Sequence, residues 1–265
     1  MRVGYPRFKR KHNRQSARFN RNSFSLKGNK VYLAKVGNLK VKWSRELPSV
    51  PSSVTIIKDR ANRYYLSFVV ETQPEIVPKF VESLGIDLGI KIFASLSSGI
   101  DIFAPDYSKL ERKIRRIKRR LSKRAGGSNR YERMRLKLAR LTSKLANTRK
   151  DFLHKLSTRV TKENKLVALE DLAVGNMLKN RKLARAVATQ GWSMFRSLCE
   201  SKADKYSCDV RIISRWSPTS QVCSTCGFNW GKLNLKVREI VCLGCGTHKD
   251  RDRNAYVDST MCNAI

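Results

Sequence analysis

Two cysteine pairs at fixed spacing, Cys223-x2-Cys226 and Cys242-x2-Cys245, constrain this chain more than any other feature. Each pair offers two thiolates at the bite of one metal ion, and fifteen residues lie between the pairs. Four soft sulfur donors are the ligand set of tetrahedral structural zinc, so a zinc ribbon is expected over residues 219–248. Gly227 and Gly246 each follow the second cysteine of a pair, where a tight turn needs a permissive backbone. Disulfide bonding is the competing use of such cysteines. It is disfavoured because no apolar leader segment precedes the rest of the chain. Cys199, Cys208 and Cys262 have no partner at ligand spacing and read as buried or incidental thiols. His248 lies near the ribbon, but four cysteines already complete a site, so it reads as a surface histidine.

Five residues past the last cysteine the chain runs Asp250-Arg251-Asp252-Arg253-Asn254-Ala255, an acidic turn at the start of an expected helix. Two other acids stand where charge is costly. Asp87 interrupts the apolar run Leu84-Gly85-Ile86-Asp87-Leu88, and Glu170 ends Leu166-Val167-Ala168-Leu169. Three acids at the ends of core elements can converge and hold two divalent cations about 3.5–4 Å apart, the arrangement that cleaves a phosphodiester. Hard oxygen donors suit Mg²⁺ and the sulfur cage suits Zn²⁺, so ligand type sorts the two metals. Singly, each acid has a structural use, since Asp87 can cap a turn and Asp250 or Asp252 a helix. Asp171 beside Glu170 and Asp250 beside Asp252 are the rival ligands.

Charge identifies the kind of partner. Across 265 residues, 56 Lys and Arg face 21 Asp and Glu, a formal net charge of +35. Such an excess favours a polyanion, while a hydrophobic content of 41% still allows a core. No apolar run nears the ~18 residues that span a bilayer, so a cytoplasmic, nucleoid-associated, nucleic-acid-binding protein is expected. The basic residues are concentrated. Residues 1–30 hold ten and no acid, and residues 107–150 hold eighteen against Glu111 and Glu132. In the second stretch Leu110, Ile114, Ile117 and Leu121 recur at helical steps, as do Leu138, Leu141 and Leu145. The segment Ala125-Gly126-Gly127-Ser128-Asn129 breaks the pair into a hairpin whose like charges call for phosphates.

Before residue 80 the pattern is β. Apolar residues alternate from Phe24 onward, with turns expected at Gly28-Asn29, at Gly37-Asn38 and across residues 59–63. About five strands imply a small antiparallel barrel or sandwich, and Pro74 and Pro78 mark a linker. Beyond it, strands near residues 84–90, 93–96, 100–104, 166–169 and 210–213, with intervening helices, make an α/β layer. The expected divisions are a basic β domain over 1–80, an α/β domain over 81–218 carrying the basic hairpin 107–160, the ribbon, and a closing segment 249–265.

Five motifs in order resemble the TnpB (OrfB) family of transposon-encoded proteins, relatives of the type V CRISPR effectors. They are Gly4-Tyr5-Pro6-Arg7-Phe8-Lys9, Gly85-Ile86-Asp87-Leu88-Gly89, Leu169-Glu170-Asp171-Leu172, Thr219-Ser220-Gln221-Val222-Cys223-Ser224-Thr225-Cys226-Gly227, and Asp250-Arg251-Asp252-Arg253-Asn254-Ala255. The resemblance implies an RNase H-like, RuvC-type nuclease domain with a zinc-ribbon insertion, guided by RNA and cutting DNA. By the same match Asp87, Glu170 and Asp252 are the implied catalytic trio, with Asp252 rather than Asp250 third and Mg²⁺ as their metal. Cys223, Cys226, Cys242 and Cys245 are the implied zinc ligands. The β domain corresponds to a wedge that grips guide RNA, and the basic hairpin lies along the heteroduplex. Family members carry a further lobe before the Gly4 segment, which implies an N-terminally truncated member. The alternative function is then a truncated, catalytically impaired RNA- and DNA-binding protein.

Overall fold

The computed structural model describes residues 14–75, 77–214, 221–231, 234, 237 and 239–250. The chain divides into two compact units, residues 1–73 with 107–147 and residues 74–106 with 148–265.

In the first unit, β1 (Gln15–Asn20) leads through a single 3₁₀ turn into β2 (Phe24–Lys27), β3 (Lys30–Leu33) and β4 (Gly37–Lys40), followed by β5 (Ser53–Lys58) and β6 (Tyr64–Val69). They form two three-stranded antiparallel sheets, ordered β1-β5-β6 and β2-β3-β4. Val31, Leu33 and Val54 are fully buried, and Phe24, Leu39, Ile56, Leu66 and Phe68 from both sheets pack against them. Among the described residues no ladder joins the two sheets, so of the expected barrel or sandwich the closed barrel is not formed. The strands instead pair within two separate sheets whose apolar faces share one cluster. The second turn also differs from expectation. Leu33 pairs with Gly37, so the turn falls on residues 34–36, with Lys35 at a left-handed φ of 63°, and Gly37 already belongs to β4. The first turn holds Gly28-Asn29 between paired Lys27 and Lys30, and Asp59 closes the β5–β6 turn by accepting the Ala61 and Arg63 amides.

Two helices complete this unit. α1 (Ser108–Leu121) buries Ile114 and Ile117 and leaves Arg112, Lys113, Arg115, Arg116, Lys118, Arg119 and Arg120 exposed. α2 (Asn129–Glu163) begins where the Ser128 hydroxyl accepts the Tyr131 amide, a capping bond at 3.2 Å.

The second unit takes the remainder of α2 and adds β7 (Val81–Leu88), β8 (Ala94–Leu96), β9 (Asp101–Ile102), β10 (Asn164–Glu170), α3 (Val174–Met177), α4 (Ala184–Gln190), α5 (Trp192–Tyr206) and β11 (Asp209–Ile213). Its sheet runs β11-β10-β7-β8-β9, with β11, β10 and β7 parallel and the last two joined antiparallel. The parallel strands have continuous apolar cores, as strands covered on both faces require. Leu84, Ile86, Val167 and Leu169 pack with Leu153, Leu156 and Val160 of α2 and with Trp192 and Phe195 of α5. Phe93 joins the layers by edge-to-face contacts with Phe152 at 5.0 Å and Phe195 at 5.5 Å. Cys199 and Cys208 are buried, as expected, and burial pushes the Cys199 thiol up to about 12. Two short antiparallel strands, β12 (Glu239–Val241) and β13 (His248–Asp250), end the described chain. Among the described residues no helix is long and apolar enough to cross a membrane.

Candidate active site and metal cluster

The four cysteines converge. Their sulfurs all lie within 4.8 Å of one another, with Cys223–Cys245 at 3.8 Å and Cys226–Cys242 at 3.6 Å. A tetrahedron with metal–sulfur bonds of ~2.3 Å has sulfur–sulfur edges of about 3.8 Å, so this donor set and spacing fit a zinc ion. Each pair is folded by the same two backbone bonds. The Gly227 amide donates to Cys223 O and the Gly246 amide to Cys242 O, both at 2.8 Å, while the Cys223 and Cys242 amides donate to Phe228 O and Thr247 O. Gly227 and Gly246 sit at φ 74° and 70°, the left-handed region that the turn demands. The Thr247 hydroxyl, 3.1 Å from the Cys245 sulfur, pulls that thiol toward the thiolate a metal needs. A further contact clamps the pairs together. Gly244 lies under the Phe228 ring, and a Cβ there would come within 2.9 Å of Phe228 Cβ. Nothing in the spacing of the cysteines pointed to this contact. His248 stands outside the cluster, exposed and 3.5 Å from Glu239.

The carboxylates meet in the second unit. Parallel pairing of Leu169 with Ile86 sets the register, and one residue further Glu170 comes alongside Asp87. Residues at one register position of paired strands share a face, so both acids leave the sheet on the same side. The electrostatics agree with this placement. Crowding at the strand end raises the Glu170 pKa above the ordinary carboxylate value, and the charges of Asp87 and then Asp171 raise it further. Glu170 nevertheless keeps solvent contact. Two carboxylates that repel across adjacent strands are a donor set that a divalent cation relieves.

Asp171 has other bonds. Its carboxylate accepts from Arg196 Nη1 at 2.8 Å, its amide donates to Ile213 O, and Arg196 Nε is held by Glu200 at 2.9 Å. Of the two neighbouring acids, Glu170 stands at the register position beside Asp87, and Asp171 is paired with an arginine. That arginine, twenty-five residues away on α5, could not be found from sequence spacing. On β8, Ser95 pairs with Asp87 and donates to Asp101 at 2.7 Å, extending the polar row across the sheet. Asp252 lies outside the described residues. Its rival Asp250 is the last residue of β13.

The comparisons with known proteins agree with this layout. A family model described as a probable transposase, OrfB of the IS605 type, matches residues 67–181, and one described as the Cas12f1-like TNB domain matches residues 192–257. A Streptomyces pristinaespiralis protein named as a candidate RNA-guided DNA endonuclease is 41% identical over 95% of this chain and 63% of its own length. Escherichia coli InsQ, named likewise, is 28% identical over 91% of this chain and 64% of its own. The chain thus spans a little under two thirds of the length of these relatives. A chain in the cryo-electron-microscopy structure of a Cas12f1–guide RNA–target DNA complex matches the fold with a TM-score of 0.54 at 18% identity, covering 93% of this chain and 59% of that one. The chain thus carries, in order, a segment similar to the OrfB transposases of the IS605 type and one similar to the Cas12f1-like TNB domain, with the metal-compatible cysteine quartet inside the second.

Proposed function

We propose that this protein is a transposon-associated, RNA-guided DNA endonuclease whose second unit is an RNase H-like, RuvC-type nuclease. The observation that carries the reading is the juxtaposition of Glu170 and Asp87 at the ends of adjacent parallel strands, where burial first and then the Asp87 charge raise the Glu170 pKa. In open α/β sheets ligands bind beyond the carboxyl ends of parallel strands, where these acids stand. Asp87 and Glu170 would hold Mg²⁺, with Asp252 as the third ligand. When bound, divalent ions in such a site activate water and stabilise the leaving oxygen of a phosphodiester. The chain's own residues prepare the site. The register fixes the two acids side by side, and Arg196 keeps Asp171 engaged so that Glu170 is the carboxylate facing Asp87. The four thiolates would keep zinc apart from these oxygen ligands, as a structural ion.

The domain reading follows: a wedge-like β domain over 1–80, nuclease segments over 81–218 and 249–265, and the ribbon over 219–248. DNA and a guide RNA are the partners. The exposed lysines and arginines of α1 supply the phosphate contacts for the basic hairpin. The test is cleavage of a DNA target by the full chain with its guide RNA. Product should form with Mg²⁺ and disappear in Asp87→Ala and Glu170→Ala but persist in Asp171→Asn. Equal cleavage by Asp87→Ala would refute the assignment.

A further inference from the structure

A row of polar residues crosses the sheet of the second unit at one level. Glu170 on β10, Asp87 on β7, Ser95 on β8 and Asp101 on β9 occupy neighbouring register positions. Ala94 and Leu96 turn into the core, so Ser95 leaves the sheet by the face that Asp87 uses. Ser97, two residues further on the same face, uses its hydroxyl for the backbone and accepts the Gly85 amide at 3.1 Å. Ser95 does not. Its hydroxyl donates to Asp101 Oδ1 at 2.7 Å, and Asp101 is exposed on a strand only two residues long.

A hydroxyl has one hydrogen and two lone pairs, and a carboxylate only accepts. With its hydrogen on Asp101, Ser95 meets Asp87 as an acceptor and not as a donor. An acceptor at this place calls for a donor. Mg²⁺ held by one or two carboxylates keeps several waters, and those waters donate. Ser95 stands one strand spacing, ~4.7–4.9 Å, from the Asp87 strand, within reach of a water carried by an ion at Asp87. We propose that Ser95 is a positioning residue of the cation site: it accepts a hydrogen bond from a metal-bound water, and Asp101 holds it in that role by taking its hydrogen. This rests on the reading of Asp87 and Glu170 as Mg²⁺ ligands, and it is tested on binding as well as on cleavage.

The probe is Mg²⁺ alone, titrated into the full chain with the shift in melting temperature as the readout. Ser95→Ala should leave the metal-free melting temperature close to that of the natural chain and raise the Mg²⁺ concentration at half-shift about two- to tenfold. Ser95→Thr keeps the hydroxyl and should restore the natural value. Asp101→Ala should also weaken Mg²⁺, because the freed hydrogen can turn to Asp87 and compete with the cation. The double variant of Ser95→Ala and Asp101→Ala should bind no more weakly than Ser95→Ala alone, since Asp101 acts through the serine. Additive effects would make Asp101 an independent charge on the cation and overturn the proposal. So would an unchanged half-shift in Ser95→Ala, or a natural chain that does not respond to Mg²⁺. Should Ser95→Ala fail to fold, Asp101→Ala at its exposed edge carries the test, and an unchanged half-shift there overturns the proposal. These shifts in a protein that never cuts DNA would sink the nuclease reading and leave the cation site standing. Cutting whose Mg²⁺ dependence is the same in Ser95→Ala would do the reverse.

Discussion

Glu170 and Asp87 occupy neighbouring register positions on parallel strands β10 and β7, and the Asp87 charge helps hold the Glu170 carboxyl above its ordinary pKa. The pair is electrostatically unfavourable in the absence of a cation. Removing one charge should therefore relieve the metal-free fold. Glu170→Gln is expected to melt at a higher temperature than the natural chain in metal-free buffer and to lose the further stabilisation that added Mg²⁺ gives the natural chain. Thermal denaturation with and without Mg²⁺ reads both effects. A variant that melts lower and still responds to Mg²⁺ would show that the two carboxylates do not share a cation.

Asp171 should behave differently from its neighbour. Its ion pair with Arg196 is partly exposed, with side-chain exposures of 39% for Arg196 and 31% for Asp171. Pairs of this kind contribute ~0–1 kcal/mol. Asp171→Asn is expected to lose that much stability and to retain the Mg²⁺-dependent shift in melting temperature. Loss of the shift would place Asp171 among the metal ligands.

Gly244 should matter to zinc although it is not a ligand. A methyl group added at this position meets Phe228 at 2.9 Å, so the first cysteine pair must move relative to the second. Overpacking of this kind costs about 1–3 kcal/mol. Gly244→Ala is expected to give up zinc faster to a chromogenic chelator than the natural chain, while Gly175→Ala, where a Cβ meets nothing within 4 Å and φ is not positive, serves as the control for a glycine outside the pairs. Equal release rates in the natural chain and Gly244→Ala would mean that the Phe228 contact does not hold the pairs in register.

The parts of this molecule that were legible in sequence are those whose chemistry is local. Two cysteines at one bite, or an acid ending an apolar run, advertise their role within a few residues, and the structure brings Cys223, Cys226, Cys242 and Cys245 together and sets Glu170 beside Asp87. Where the outcome depended on partners distant in the chain, the sequence was silent. The alternation before residue 80 announced strands but not their division into two sheets, which depends on which strands pair across the chain. Gly37-Asn38 looked like a turn, yet the pairing of Leu33 with Gly37 moved the turn onto Lys35. The grip of Arg196 on Asp171 and that of Phe228 on Gly244 both arise only after distant segments pack.

The exposed face of α1 should set the salt dependence of nucleic-acid binding. Each phosphate contact contributes a slope of roughly −0.7 to −0.9 in log K against log salt. Replacing Arg115, Arg116 and Arg119, all exposed, by Gln leaves buried Ile114 and Ile117 in place and should flatten the slope by about two. Fluorescence anisotropy at several salt concentrations measures it. An unchanged slope would remove this helix from the phosphate-binding surface.

The segment entering β7 is fastened by charge, and the fastening should follow pH. Glu75 accepts from Lys162 Nζ at 2.6 Å, its amide donates to Lys205 O at 2.8 Å, and Lys162 lies 5.1 Å from the centre of the Tyr206 ring. The hydrogen bond from Lys162 holds the Glu75 carboxyl below its ordinary value, and the bond to Glu75 raises the Lys162 ammonium above its own. A depressed carboxyl contributes stability that is present above its unfolded pKa of 4.5 and lost as pH falls through the lower, folded value. A raised ammonium contributes stability that is present below 10.5 and lost as pH climbs through the higher, folded value. Both contributions are therefore complete only between those limits. Lys162→Met is expected to melt below the natural chain at neutral pH, with the gap closing in acid as Glu75 takes up its proton. Melting curves of the two proteins across the acid range test this. A gap that stays constant into strong acid would mean that the lysine acts through its packing on Tyr206 and not through its charge.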